Sequence, residues 1–575
     1  MSRRSALALL LVTASGCSRS SDESPGKAAP ARASTTPSAE LGELTFDVSG
    51  GTPPARGHFE RGILALHSFW YDEAIRQFKS AIDADPTFSM AYWGLAMSQA
   101  KILWGDDRVD AARAILARLP HPDRLSPREQ AWLRAARALF AGDQGLANRR
   151  GFAAAMEQVH ARYPDDESAT FLALALLGTL YPGVPEEAAI RERAGKLAGG
   201  VFEHNPKHPG AAHYLIHAYD TPALAARALP AARQYAAIAP EAFHARHMPA
   251  HIFARLGMWK EALASCQAAW DVSLVAAERH SLGADHFDYH SLAWIVEIDF
   301  ELGRRSRADE AFARFRDAVR AGLGADNRLS YLNLASSYLA RTGEWKRAGE
   351  LVAVVAAPAR SGSGAAVPPP GGTSCTGHPS IAGDSPMQLF ERRAVLNIEA
   401  RAAAEARDLA TTRRRVDEMA ALDARLDALL ARSQPAELLA GQRRMNDFSA
   451  RALLARARGD RRELLALQQA MQAEPSEASG GDRGEGLANA YLRPESIADL
   501  LLQLGRADEA LAAYGEVVRQ HPGRAHSMLG AARAARRAGK PEVARDWYQR
   551  LLAVWAEAEP GTDGLAEARA AVAAR

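Results

Sequence analysis

Three cysteines among 575 residues are too few for a disulfide framework, and Cys17 falls in a leader, which leaves Cys266 and Cys375 as thiols of the body. An excess of charge of one sign is also missing. With 70 basic against 68 acidic residues the formal net charge is +2, so no field gathers a phosphate backbone, and no nucleic acid is expected as a partner. No apolar run is long enough to span a bilayer as a helix. Runs of β-branched residues with alternating polarity are scarce, which argues against extended sheet. The chain has no H-E-x-x-H, no phosphate-binding loop, no G-x-G-x-x-G after a strand and no G-x-S-x-G elbow. Those absences argue against the common hydrolases and nucleotide enzymes, and an enzyme is the less favoured class.

Alanine, leucine, arginine and glutamate dominate; 47% of residues are hydrophobic and 24% charged, the composition of an all-helical protein. The length exceeds what one globular core usually reaches, so several domains or one long solenoid are expected. At the start, Arg3 and Arg4 precede an apolar stretch from Ala6 to Val12 and the small residues Ala14-Ser15-Gly16 before Cys17. This resembles a bacterial lipobox, with Ala14 standing where a larger aliphatic residue is commoner. The expectation is a signal peptide over 1–16, lipidation at Cys17 and a disordered tether over 17–51 rich in Ser, Pro, Ala and Thr. The resulting location is the bacterial cell envelope, lipid-anchored to a membrane and facing the periplasm or the exterior.

Beyond the tether a helical repeat can be read. His58 to Gly62, followed by Ala74, Phe78, Ala81 and Pro86, resembles the tetratricopeptide repeat (TPR), in which small residues let two helices approach, an aromatic fills the gap and proline ends the second helix. The phase returns as Gly505, Ala510 and Tyr514 and again as Gly539, Ala544 and Tyr548, intervals of 34 residues. The resemblance implies an all-α TPR-type α-solenoid, a right-handed superhelix of helix hairpins. Its parts are an N-terminal array over 52–357, a Pro/Gly/Ser-rich loop over 358–386 that is the best candidate for a domain boundary, TPR-like hairpins over 387–473, a flexible loop over 474–490 and a C-terminal TPR pair over 491–572.

Histidine belongs to no structural position of that repeat, yet His213 and His217 return 34 residues later as His247 and His251, and His286 and His290 follow. Residues four apart on a helix point the same way, so each pair offers two imidazoles on one face. First helices of successive repeats line a concave groove, where His213, His217, His247 and His251 can share one patch, with His286 and His290 at its rim. Asp220, Asp285, Asp288 and Glu297 supply carboxylates nearby in sequence. Neutral imidazoles at this spacing suit zinc, copper or nickel, with His213, His217, His247 and His251 as the ligand set. Recognition of a polar ligand by a groove of His213, His217, His247, His251, His286, His290, Asp220 and Glu297 stands beside that reading. A structural role is the third, through duplication of an ancestral repeat or through histidines that satisfy one another and nearby backbone in a half-buried groove.

The segments His208 to Asp220 and His244 to Phe253, closing on Leu256-Gly257-Met258-Trp259, resemble a group of bacterial exported His-rich TPR lipoproteins. That resemblance implies the fold and leaves the activity open. The favoured function is an exported scaffold that binds a protein, peptide or small polar ligand in its groove. The alternative is a transition-metal protein or metalloenzyme with zinc or copper held by the histidine pairs.

Overall fold

The computed structural model describes residues 41–574, apart from 105, 143–144, 182–183, 357–384, 432–435 and 475–491. The expected signal peptide, Cys17, Cys375 and most of the two loops lie outside the described residues. Consecutive helices pack against one another along the chain, which is the all-α array of hairpins that the repeats imply. Among the described residues the strands are the two-residue segments Ala100–Lys101 and Asp106–Asp107, paired antiparallel.

The first hairpin shows why the sequence folds this way. Two prolines open the helix Pro53–His67, where their fixed φ and missing N–H cost nothing. The second helix, Tyr71–Ala84, buries Ala74, Ile75, Phe78 and Ala81, a stripe at helical spacing. Phe78 fills a notch between this hairpin and the next helix, Ser89–Met97. A Cβ on Gly94 would stand 2.3 Å from the Phe78 ring, so only glycine admits the aromatic. Tyr514 lies on Gly530 at the same 2.3 Å near the other end of the chain. This exchange of aromatic for glycine is what the 34-residue phase encodes.

Two sequence expectations require correction. The tether does not reach residue 51: Leu41, Leu44 and Phe46 are buried, and Phe46 packs against Phe59, Trp93 and Trp132 with centroids 4.9–5.5 Å apart. The Glu43 amide donates to the Lys207 carbonyl at 3.0 Å, so this non-helical segment belongs to the body. Its few apolar residues were outvoted by the polar composition around them. Nor does the loop after 357 divide the chain. The helix Pro386–Glu405 packs on Ala325–Thr342 and Ala348–Ala356, and residues 40–575 form one compact unit.

The C-terminal hairpins return to the middle of the array. Trp259 Nε1 donates to the Gly523 carbonyl at 2.8 Å, Trp555 Nε1 to the Glu301 carbonyl at 3.0 Å, and Thr562 Oγ1 to the Gly303 carbonyl at 3.0 Å. At the centre of this seam Arg524 is fully buried between Glu301 and Glu495, with Nη2 2.6 Å from the Glu495 carboxylate. Local periodicity carries no sign of this contact, because it joins residues more than two hundred apart in sequence.

Candidate metal centre

Four short pieces of helix carry the histidines. His213 and His217 lie on Pro209–Tyr219, His244 and His247 on Phe243–His247, His251 on Pro249–Arg255, and His290 on Tyr289–Glu301. Pro249 lacks an amide proton, so the helix tightens at Met248, whose carbonyl accepts from the His251 amide three residues on. The rings gather as two triads, His213 with His217 and His244, and His247 with His251 and His290. In each, one nitrogen per ring lies within 4.8 Å of the other two.

The expected set of four is therefore divided, and each i, i+4 pair acquires a third ring from another element. His213 Nε2 lies 3.0 Å from both His217 Nε2 and His244 Nε2, and His247 Nε2 lies 3.0 Å from His251 Nε2. His244 was absent from the sequence reading. Its counterpart 34 residues earlier is Gly210, where a Cβ would meet the His67 ring at 2.4 Å, so the repeat phase could not reveal it. The available signal was its place three residues before His247, on the same helical face.

Proton positions follow from the outer partners. His213 Nδ1 faces the His67 carbonyl at 2.6 Å and must donate to it. His251 Nδ1 donates to Asp220 Oδ2 at 2.9 Å. Burial alone would raise the Asp220 carboxyl, but Arg255 and His251 hold it well below the usual range, so it is an acceptor. Ser291 donates to Asp288 at 2.5 Å, and its oxygen then accepts from His247 Nδ1 at 2.9 Å. With these partners, the neutral tautomer of His213, His247 or His251 has its proton on Nδ1 and turns an Nε2 lone pair inward. Outer partners that fix a tautomer in this way are usual around metal-ligating histidine.

The His247 and His251 lone pairs consequently face each other at 3.0 Å. Two lone pairs repel at that distance unless a cation, either a proton or a metal ion, lies between them. Burial first, and then His290, His251 and His244, press the pKa of His247 well below the ordinary value. The same causes act elsewhere: burial and the adjacent ring lower His213, His217 and His244, and burial with His251 takes His290 to about 3. Around a tetrahedral ion with bonds of about 2.0–2.1 Å, ligand nitrogens stand roughly 3.3 Å apart, close to these spacings.

Aromatic rings wall the triads. Phe69 sits 4.3 Å from His213 and 5.4 Å from His244 between ring centroids, and Trp294 sits 4.5 Å from His251. Phe69 holds φ at 51°, a left-handed conformation that costs a bulky residue on the order of 1–3 kcal/mol and is tolerated where the surroundings fix it. Cys266 is buried as expected, its thiol pushed up by burial and then by Asp288, with Sγ 3.7 Å from His247 Nδ1.

Two expected groove residues lie elsewhere. Glu297 is buried in an ion pair with Arg341 at 2.7 Å and accepts from Ser337 at 2.5 Å. His286 falls in the short turn Ala284–His286 and faces Asp72 at 3.4 Å, because the helix bearing His290 starts only at Tyr289. Asp285 receives the Gly324 amide at 2.7 Å. Asp220 does belong to the site, behind His251 rather than in the groove.

A third cluster, His67, Glu167 and His208, is fully buried and needs no ion. His208 Nδ1 accepts the Ala211 amide at 3.2 Å, so its Nε2 carries the proton and donates to Glu167 at 3.1 Å. His67 Nε2 donates to the other carboxylate oxygen at 2.9 Å and its Nδ1 meets the Tyr214 hydroxyl at 3.0 Å. Every proton has a place, and burial is offset by the two histidines that hold Glu167 at about 2.

The role of Asp220 gives an expected result. Asp220→Asn weakens the orientation of His251 and should lower metal affinity of the second triad by about 10–100-fold, leaving the first unchanged. Competition against a chelator of known affinity measures this; equal affinity for both sites in wild type and variant would remove Asp220 from the account.

Similar solved structures include the TPR domain of P58(IPK), with 13% identity, 71% of this chain and 98% of that one covered, and a TM-score of 0.20. The APC/C hetero-tetramer Cut9-Hcn1 shares 10% identity over 78% of this chain and 83% of that one, with a TM-score of 0.29. Yeast Tom70 shares 12% identity over 90% and 95%, with a TM-score of 0.30. No curated protein matches the chain. Residues 496–561, the hairpins that carry Tyr514 and Tyr548, match the tetratricopeptide repeat family.

Proposed function

We propose that this chain is a helical-repeat metal protein that holds two transition-metal ions, one in each histidine triad. The observation that carries the reading is the approach of His247 Nε2 and His251 Nε2 to 3.0 Å, each ring having its Nδ1 against an outer acceptor. Outer partners orient His213, His247 and His251 before an ion arrives, which reduces the cost of assembling the site. Elemental analysis of the full chain after loading with copper or zinc and exhaustive dialysis should find two ions per chain. A substoichiometric residue of metal under all loading conditions would overturn the proposal.

The tetratricopeptide match over residues 496–561 supports a second reading, an interaction scaffold for a protein or peptide, and the two are compatible because the matched hairpins lie outside the triads. We also propose export and lipid attachment at Cys17, from the leader sequence. In the bacterial cell envelope, Cys17→Ser should move the protein from the membrane to the soluble fraction; an unchanged distribution would contradict the anchor.

A further inference from the structure

We infer that the two triads form a single dinuclear copper centre that binds dioxygen between its ions. The inference rests on the metal-binding reading above. Its first support is that the triads abut: the rings of His244 and His247, one from each, have centroids 6.4 Å apart, no farther than His217 and His244 within the first triad at 6.3 Å. His244 and His247 also share one helix of five residues, so neither triad can move independently of the other.

The donor set supplies the second support. Six imidazoles surround the two positions, with no carboxylate among them. Imidazole suits copper, zinc, iron and nickel, and copper stands highest in the affinity order. Charge separates these choices. The carboxylates behind the ligands are Asp220, already shared with Arg255 at 2.8 Å, and Asp288, which reaches His247 through Ser291. Two divalent ions bring four positive charges into a buried site with this little compensation, whereas two cuprous ions bring two.

The third support is the open side. His213, His247 and His251 are buried, while His217, His244 and His290 are half-buried and give the solvent an approach. Three ligands leave a coordination position free on each ion. The walls are Phe69, Trp104 and Trp294, apolar surfaces that admit a small neutral molecule. A metal hydrolase needs a base beside its metal-bound water. Here the two nearby carboxylates are committed to His251, Arg255 and Ser291.

The step balances without another reagent. Each cuprous ion gives one electron to the dioxygen that enters between them; the O–O bond order falls from two to one, no bond to hydrogen forms, and two cupric ions hold the dianion. The net charge of the ions and their guest is +2 before and after, so the site that tolerates the reduced pair tolerates the oxygenated one.

The full chain, loaded anaerobically with cuprous ion alone and then mixed with oxygenated buffer, tests this. Two copper ions and one dioxygen taken up per chain are expected. His290→Gln should hold one copper and lose oxygen uptake, and His217→Gln, in the other triad, should do the same; circular dichroism confirms that each is folded. Copper bound at two per chain with no oxygen taken up would overturn the inference while the metal reading stands. So would oxygen uptake by a folded one-copper variant, or a pair of zinc ions that copper does not displace. A chain that binds no stoichiometric metal would overturn both.

Discussion

Replacing His244 with alanine should remove one metal ion per chain, replacing His290 should remove the other, and the double variant should bind none. Both rings are half-buried, and each is the third member of its triad, so the changes spare the pairs His213–His217 and His247–His251. Two nitrogens seldom retain a transition ion tightly. The metal-free proteins should unfold nearly alike. In the presence of metal at a thousand times the dissociation constant, the wild type gains about 4 kcal/mol per site, because ligand binding favours the folded state alone, and the double variant gains none. Elemental analysis together with denaturant titration reads both effects. If the ions were instead held by His213, His217, His247 and His251 as one set of four, both substitutions would leave the metal content intact.

The second large effect is expected at Arg524→Met. Arg524 is fully enclosed and pairs with Glu301 and Glu495; its removal takes the guanidinium from Glu495, while Glu301 keeps Arg341 and the Ala525 amide, and should cost about 3–5 kcal/mol in urea unfolding. Burial alone would raise the Glu495 carboxyl, and Arg524 above all holds it at about 2. A depressed carboxyl contributes stability above its unfolded pKa and loses it as pH falls from about 4.5 towards 2. That acid-sensitive increment should be missing in the variant. Glu301 ends the helix that begins beside His290, so amide exchange along Tyr289–Glu301 should also quicken. An unaltered urea midpoint would mean that the seam with the C-terminal hairpins adds nothing to stability.

The repeat was legible because it is written locally. Phe78 and Gly94, like Tyr514 and Gly530, are near in sequence and equally spaced, and the helices fall where they indicate. The paired histidines were legible for the same reason. What escaped was set by contacts between distant segments. His244 has no partner in phase because the His67 ring occupies the space beside Gly210. His67, Glu167 and His208 come from three hairpins, and nothing in their local sequence joins them. Closeness in sequence pointed Glu297 to the groove and the four-residue spacing from His290 pointed His286 to its rim, yet Arg341 claims one and the late start of the helix at Tyr289 withdraws the other. Leu41, Leu44 and Phe46 show the opposite error, three apolar residues hidden in a polar stretch that nonetheless find a core.

Anomalous diffraction from crystals of the metal-loaded chain, recorded on either side of the absorption edge of the bound element, tests the central claim most directly. Two peaks are predicted, one enclosed by His213, His217 and His244 and the other by His247, His251 and His290, with nitrogens at about 2.0–2.1 Å from each. A single peak shared among His213, His217, His247 and His251, a peak at His67 and Glu167 with both triads empty, or no peak at all would contradict it.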